Sequence, residues 1–164
     1  MNNAMIERVV EVSAPQDLAA IYDDDVVAVV WRAALVGPAA LPTPSGRLVF
    51  DGTEVPAAAL GHGPLLDIVE VFASLADTTA VGVRWRTSST PMCPAWHVDQ
   101  VELRGCLTLV GPGTELLLNE GERLAVGAGD LVVMKGTLLH PRGCRHRSPH
   151  HGDTDRVVVT LDIT

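Results

Sequence analysis

The sequence predicts a mainly β protein with N-terminal helices, an α+β class in which the sheets dominate. Three observations carry this expectation. The apolar residues fall in many short Val- and Leu-rich runs, and 15 Gly and 11 Pro spread over 164 residues punctuate them as turns do. After a helix-periodic stretch ending near Ala76, the texture changes to period-two alternation. No long polar tract divides the chain, so one domain over 1–164 is expected. Residues 1–79 would hold helical and loop text with the first strands, and 80–164 the barrel core and the candidate site.

In chain order, residues 1–24 read as an N-terminal segment in which Ser13-Ala14-Pro15 caps and starts a short helix over Gln16 to Tyr22, ended by Asp23-Asp24-Asp25. Val26 to Arg32 reads as a buried strand. Gly37 to Leu60 is loop-like, with a turn signal at Pro42 to Gly46 and a short strand over Arg47 to Phe50. Leu65, Ile68, Val69, Phe72 and Leu75 recur at helical spacing, so Leu65 to Ala76 is the best-supported helix. Strands are then expected over Ala80 to Arg86, His97 to Val110, Thr114 to Leu118, Arg123 to Val126, Asp130 to Lys135 and Arg156 to Ile163. Gly129-Asp130 marks a tight turn. In the long central strand Val101, Leu103, Leu107 and Leu109 alternate with Glu102, Arg104, Cys106 and Thr108; His97 and Asp99 share the parity of the apolar set and are expected to face the interior. Helices followed by a meander of short strands, with site residues on an early and a late strand, suggest a double-stranded β-helix, a jelly-roll or cupin-like barrel.

His97-Val98-Asp99 places an imidazole and a carboxylate two residues apart, and His146 supplies a second imidazole from a distant strand. Two His and one carboxylate form half of an octahedral shell and leave open positions, the arrangement of non-haem Fe(II) oxygenases. His97, Asp99 and His146 are therefore the candidate metal ligands. Other readings stand beside this one. Asp99 could pair with Arg104. His140, in LLH after the Gly-Asp strand, competes with His146 as the distal ligand. Cys93, His97, Cys144 and His146 could form a tetrahedral zinc shell, which would make the protein a zinc-binding or zinc-responsive module. His150 and His151 read as solvated and His62 as loop. Lys135, Thr114 and Arg147 are weaker candidates for contacts around the site.

CPAWHVD, GPGTE at Gly111 to Glu115, GDLVVMKG at Gly129 to Gly136, HRSP at His146 to Pro149 and RVVVTLD at Arg156 to Asp162 together resemble the bacterial family catalogued as domain of unknown function 1826. The resemblance runs from about Asp67 to the C-terminus and brings no assigned activity with it. Members of the family often have Phe where this chain has Trp96. A broader likeness is to Fe(II)/2-oxoglutarate-dependent oxygenases, whose pattern is His-x-Asp, a distal His, and an Arg about ten residues later. That likeness implies Fe(II) at His97, Asp99 and His146, 2-oxoglutarate held at its far carboxylate by Arg156, dioxygen at the remaining position, and an unknown substrate. Arg156 opens a Val-rich strand and shares a face with Val158 and Thr160. A buried guanidinium there requires an acidic partner, either a dicarboxylate co-substrate or a side chain such as Asp153 or Asp162. A cupin-like protein that binds a metal or small ligand without turnover is the non-catalytic alternative.

A formal charge of −8 opposes nucleic-acid binding, which needs a concentrated basic field. The most apolar run, Val26 to Leu41, is interrupted by Arg32 and Pro38 and is too short to span a bilayer. Three widely spaced cysteines, with no apolar secretion segment at the N-terminus, point to a reducing cytoplasm. An apolar fraction of 47% with few aromatic residues is consistent with a homodimer covering an exposed patch.

Overall fold

The computed structural model describes residues 7–37, 41, 45–51 and 63–164. Strand β1 (Arg8–Val12) leads through a 3-10 helix (Pro15–Tyr22) to β2 (Val26–Trp31) and β3 (Ser45–Phe50). Helix α1 (Pro64–Leu75) precedes β4 (Val81–Ser88), β5 (Leu103–Val110), β6 (Glu115–Leu117), β7 (Arg123–Ala125), β8 (Leu131–Lys135), β9 (His146–Arg147) and β10 (Arg156–Ile163). Seven strands form one sheet in the order β1-β2-β8-β5-β10-β4-β3, and three form a second in the order β7-β6-β9. The fold is mainly β, a jelly roll with a large and a small sheet.

Period-two alternation in the large sheet builds two cores. From β5, β8 and β10, Leu103, Leu107, Leu131, Val133, Val159 and Leu161 pack against the helical layer of Leu18, Ile21, Leu65, Ile68, Val69 and Phe72. The opposite face, carrying Cys106, Val132, Met134 and Val158, packs against Leu116 and Val126 of the small-sheet side. α1 buries Leu65, Ile68, Val69 and Phe72, one face at i, i+3, i+4 and i+7 spacing. Pro64 begins it, where a missing N–H costs nothing.

Local expectations differ from the structure at three places. The segment read as N-terminal lead-in also contributes β1, which runs parallel to β2 because the 3-10 crossover returns the chain to the same end of the sheet. Ser13 does not cap the following helix. Ala14 takes the cap position without a side-chain bond, and the turns close by i to i+3 bonds such as Asp17 N to Ala14 O. Lys135 lies away from the candidate site: its buried ammonium donates to Asp23 O at 2.7 Å, satisfying a carbonyl just past the end of that helix. The turn expected at Pro42 to Gly46 falls largely outside the described residues.

Phe72 is fully buried against the sheet. Phe72→Ala is expected to destabilise the protein by about 3–5 kcal/mol through lost burial and a residual cavity, measured as the shift in urea unfolding midpoint at unchanged slope.

Candidate metal centre and anion pocket

His97 and Asp99 are not on the central strand. β5 begins only at Leu103, and His97 instead forms an isolated antiparallel bridge with His146. His97 N donates to His146 O at 3.1 Å, and His146 N donates to His97 O at 2.9 Å. Residues opposed in this way project to the same face, so the two rings meet with centroids 4.4 Å apart. On its other side, His146 pairs with Leu116 of β6, which extends the small sheet by one bridge to His97.

The expectation that His97 and Asp99 follow the apolar parity of β5 is therefore corrected. They lie over the opposite face, the one carrying Arg104, Cys106 and Thr108. Two glycines let the 97–102 segment lie there. A Cβ on Gly136 would sit 2.1 Å from Val101 O and 2.7 Å from Asp99 O. Gly143 has φ +58, and a Cβ there would meet Val98 Cγ1 at 2.4 Å. With that approach open, Thr137 N donates to Asp99 O at 2.9 Å and Leu138 N to Val101 O at 3.1 Å. Trp96 adds a side-chain anchor. The Arg147 guanidinium stacks 4.4 Å from its ring centroid, and Arg147 Nε donates to Glu115 Oε2 at 2.6 Å.

One ligand atom from each of His97, Asp99 and His146 lies within 4.8 Å of the other two. His146 Nε2 is 3.2 Å from Asp99 Oδ2, and His97 Nε2 is 3.8 Å from Asp99 Oδ1. His97 Nδ1 lies 2.9 Å from Ala95 O and His146 Nδ1 lies 3.0 Å from Cys144 O. A carbonyl can only accept, so each Nδ1 carries the proton. A bound metal would take each ring in its neutral form, in which Nε2 presents its lone pair to the cluster. Arg104 Nη1 lies 2.8 Å from Asp99 Oδ2, while Nε and Nη2 clamp Asp162 at 2.6 and 3.0 Å. Asp99 Oδ2 is buried and receives no aligned N–H from either neighbour. Desolvation raises the Asp99 pKa, but His146, Arg104 and His97 outweigh it and hold the carboxyl at about 2. The group combines two imidazole lone pairs with an ionised carboxylate, a donor set that fits a divalent cation.

His140 is brought elsewhere. It is buried, with Nδ1 accepting from Arg142 N and Gly143 N at 3.3 and 3.2 Å, and it folds its own loop. The four-residue Cys93, His97, Cys144 and His146 shell does not assemble: among the described residues, no thiol joins the imidazole pair. Cys93 is exposed. Cys144 is buried, and burial pushes its thiol up to about 12, with Glu7 and Asp99 adding to the shift. His151, expected in solvent, is also buried; its Nδ1 is held by Thr154 O. His150 is exposed and His62 lies outside the described residues.

Arg156 is 2% exposed. Its acidic alternatives do not reach it, since Asp162 is taken by Arg104 and Asp153 is exposed in the preceding turn. Its partners are all neutral. Nε donates to Pro112 O at 2.8 Å, Nη1 to Ser148 Oγ at 3.1 Å, and Nη2 to Thr114 Oγ1 and Thr108 Oγ1 at 3.1 and 3.5 Å. Desolvation lowers its pKa from the ordinary arginine value. Thr114 and Ser148, from the GPGTE and HRSP motifs, thus build the cradle of this cation. Arg156, His97 and His146 all line one cavity of about 180 Å³.

Sequence reasoning missed the doubled role of Arg104, which pairs with Asp99 and Asp162 together. It also missed Ser148 and Thr108 around Arg156. The odd-numbered apolar pattern of β5 hid Arg104 and Thr108 by drawing attention to the helix-facing side. Their own parity, shared by Arg104, Cys106 and Thr108, was the available signal.

Several solved structures share this fold. The dioxygenase for auxin oxidation from rice matches with a TM-score of 0.56 at 14% identity, over 96% of this chain and 82% of that one. A Pseudomonas putida prolyl-4-hydroxylase matches with a TM-score of 0.55 at 11% identity, over 92% of this chain and 100% of that one. The dioxygenase for auxin oxidation 1 from Arabidopsis thaliana, solved as a complex with 2-oxoglutarate, matches with a TM-score of 0.53 at 10% identity, over 96% of this chain and 92% of that one. At such identities the likeness is one of fold. No curated protein matches the chain by sequence. Residues 63–162, which contain α1, the His-Asp-His group and Arg156, match the family described as Protein of unknown function (DUF1826). The chain belongs to that family.

Proposed function

We propose that this protein is a non-haem Fe(II), 2-oxoglutarate-dependent oxygenase acting on a small-molecule substrate. The observation that supports it is a single cavity lined both by the paired imidazoles beside Asp99 and by a buried arginine that has no acidic partner among the described residues. His97 Nε2, His146 Nε2 and the Asp99 carboxylate would hold the metal. Arg104 Nη1, 2.8 Å from Asp99 Oδ2, fixes that carboxylate, and the two Nδ1–H bonds fix the ring planes. When bound, the metal supplies dioxygen activation, coupling substrate oxidation to conversion of 2-oxoglutarate into succinate and carbon dioxide.

The remaining work falls to the chain. Arg156 uses four N–H groups on neutral oxygens, which leaves one on Nη1 for a carboxylate. Ser148 Oγ accepts from the guanidinium and so keeps its own O–H free to donate to the same anion. A dicarboxylate anchored there would supply the charge that burial of Arg156 lacks. Val158, Met134 and Cys106 line the same cavity with apolar surface, lowering the local dielectric and strengthening that ion pair.

His97→Ala and Asp99→Ala are each expected to abolish stoichiometric Mn(II) binding by calorimetry while retaining the wild-type far-ultraviolet spectrum; wild-type affinity in both would reject the ligand set. Arg156→Ala is expected to weaken 2-oxoglutarate binding to the Mn(II) form by about 2–4 kcal/mol. Absence of binding to wild type would leave a metal-binding protein without turnover. Replacing Cys93 and Cys144 together by Ser is expected to leave metal affinity unchanged, and the Co(II) form to lack an intense thiolate charge-transfer band. A band lost in the double variant would restore the zinc reading.

A further inference from the structure

Five of the chain's twelve Lys and Arg residues line the cavity shared by His97, His146 and Arg156, and among the described residues no Asp or Glu does. Three of the five have occupation: Arg104 holds Asp162 and Asp99, Arg147 holds Glu115, and Arg156 is the anchor assigned above to 2-oxoglutarate. Arg84 and Arg86 remain. Both are exposed on β4, and neither has an acidic partner among the described residues; Arg86 Nη1 reaches only Met92 Sδ at 3.6 Å, a weak acceptor.

Strand register fixes where these two point. Arg84 lies opposite Thr160 and Arg86 opposite Val158 on β10, and directly opposed residues share a face. Val158 and Thr160 line the cavity, and Arg156 follows on the same face of β10. One strand farther out, β3 sets Arg47 directly across from Arg84. Like charges so placed are destabilising, and Arg47 too has no acidic partner among the described residues. Asp162, which lines a flanking cleft with Arg47 and Arg84, has both carboxylate oxygens on Arg104.

A chain with twenty acidic residues thus keeps four guanidiniums on one face, Arg47, Arg84, Arg86 and Arg156, without a carboxylate partner among the described residues, three of them at its cavity. Planar forks two residues apart on a strand suit a shared oxyanion. The net charge of −8 repels a long polyanion, whereas a small molecule entering the cavity meets chiefly the local arginines.

We propose that the substrate is a small organic acid whose carboxylate or phosphate is gripped by Arg84 and Arg86, with its carbon skeleton lying over Val158 and Thr160 toward His97 and His146. This rests on the oxygenase reading and specifies its substrate class. The test is calorimetry on anaerobic protein loaded with Mn(II) and 2-oxoglutarate, titrated with benzoate, phenyl phosphate and the neutral analogue benzamide. At least one anion is expected to bind saturably, benzamide not at all, and the stronger anion identifies the preferred oxyanion. R84Q/R86Q, with its fold checked by thermal melting, is expected to lose about tenfold or more in anion affinity. R84K/R86K, which keeps the charge but not the fork, is expected to fall between. Equal binding of benzamide, unchanged anion affinity in R84Q/R86Q, absence of binding by either anion, or tighter arginine-dependent binding of a single-stranded oligonucleotide would each overturn the proposal. The same titration on metal-free protein separates the two readings. If 2-oxoglutarate fails to bind wild type, the oxygenase assignment falls, while the loss or retention of anion binding in R84Q/R86Q still decides the role of the arginine pair.

Discussion

The reciprocal backbone hydrogen bonds between His97 and His146 are the constraint on which the site depends. They join a loop that precedes β5 to a two-residue strand that the small sheet holds through Leu116. Two imidazoles from positions 49 residues apart in sequence are placed on one face by this single bridge, and each ring is oriented by its own Nδ1–H on a nearby carbonyl. The rest of the local architecture serves the bridge. Gly136 and Gly143 remove side-chain bulk where the 97–102 loop crosses, and the Trp96–Arg147–Glu115 stack pins the same crossing from its outer side. Shifting the pairing by one residue would turn His146 to the opposite face, so register here decides whether the two imidazoles meet.

Arg104 links this bridge to the large sheet. Its bidentate bond to Asp162 ties β5 to β10, and its remaining nitrogen meets Asp99. The carboxylate of the metal-type group is thereby referenced to the same two strands that carry Arg156 and the cavity floor. A buried salt-bridged network gains little net stability after desolvation, but removing one member leaves an unpaired charge. Such a network makes geometry hard to change.

The architecture was legible in the sequence to the extent that periodicity and punctuation specify it. The apolar stripe of α1, the alternation in β5 and the span of β10 all follow from residue spacing, and the jelly roll follows from their order. What spacing could not show is that His97 and Asp99 leave strand geometry. A His-x-Asp pair on a strand would also share a face, so the nearness of His97, Asp99 and His146 was anticipated through a parity that the chain does not use. The loss of Ser13 as a cap and the inward turn of Lys135 and His151 have a common cause. Each depends on which backbone carbonyl or amide lies nearby in space, and no local pattern encodes that.

Charge distribution gives the fold its final asymmetry. The acids outnumber the bases, and the surface pairs Arg8 with Asp25 and Arg32 with Glu11 and Asp130 place carboxylates on cations far from the site. At the cavity this pairing stops short. Arg156 is solvated by hydroxyls and a carbonyl, which satisfy its hydrogen bonds but not its charge. Neutral dipoles can keep a guanidinium folded and oriented while leaving its Coulomb attraction available. A carboxylate of the chain in that position would stabilise Arg156 and close the pocket to anions. With Asp and Glu kept off the described cavity wall, the charge of Arg156 would remain available to the carboxylate of the proposed co-substrate, whereas Asp99 already meets Arg104.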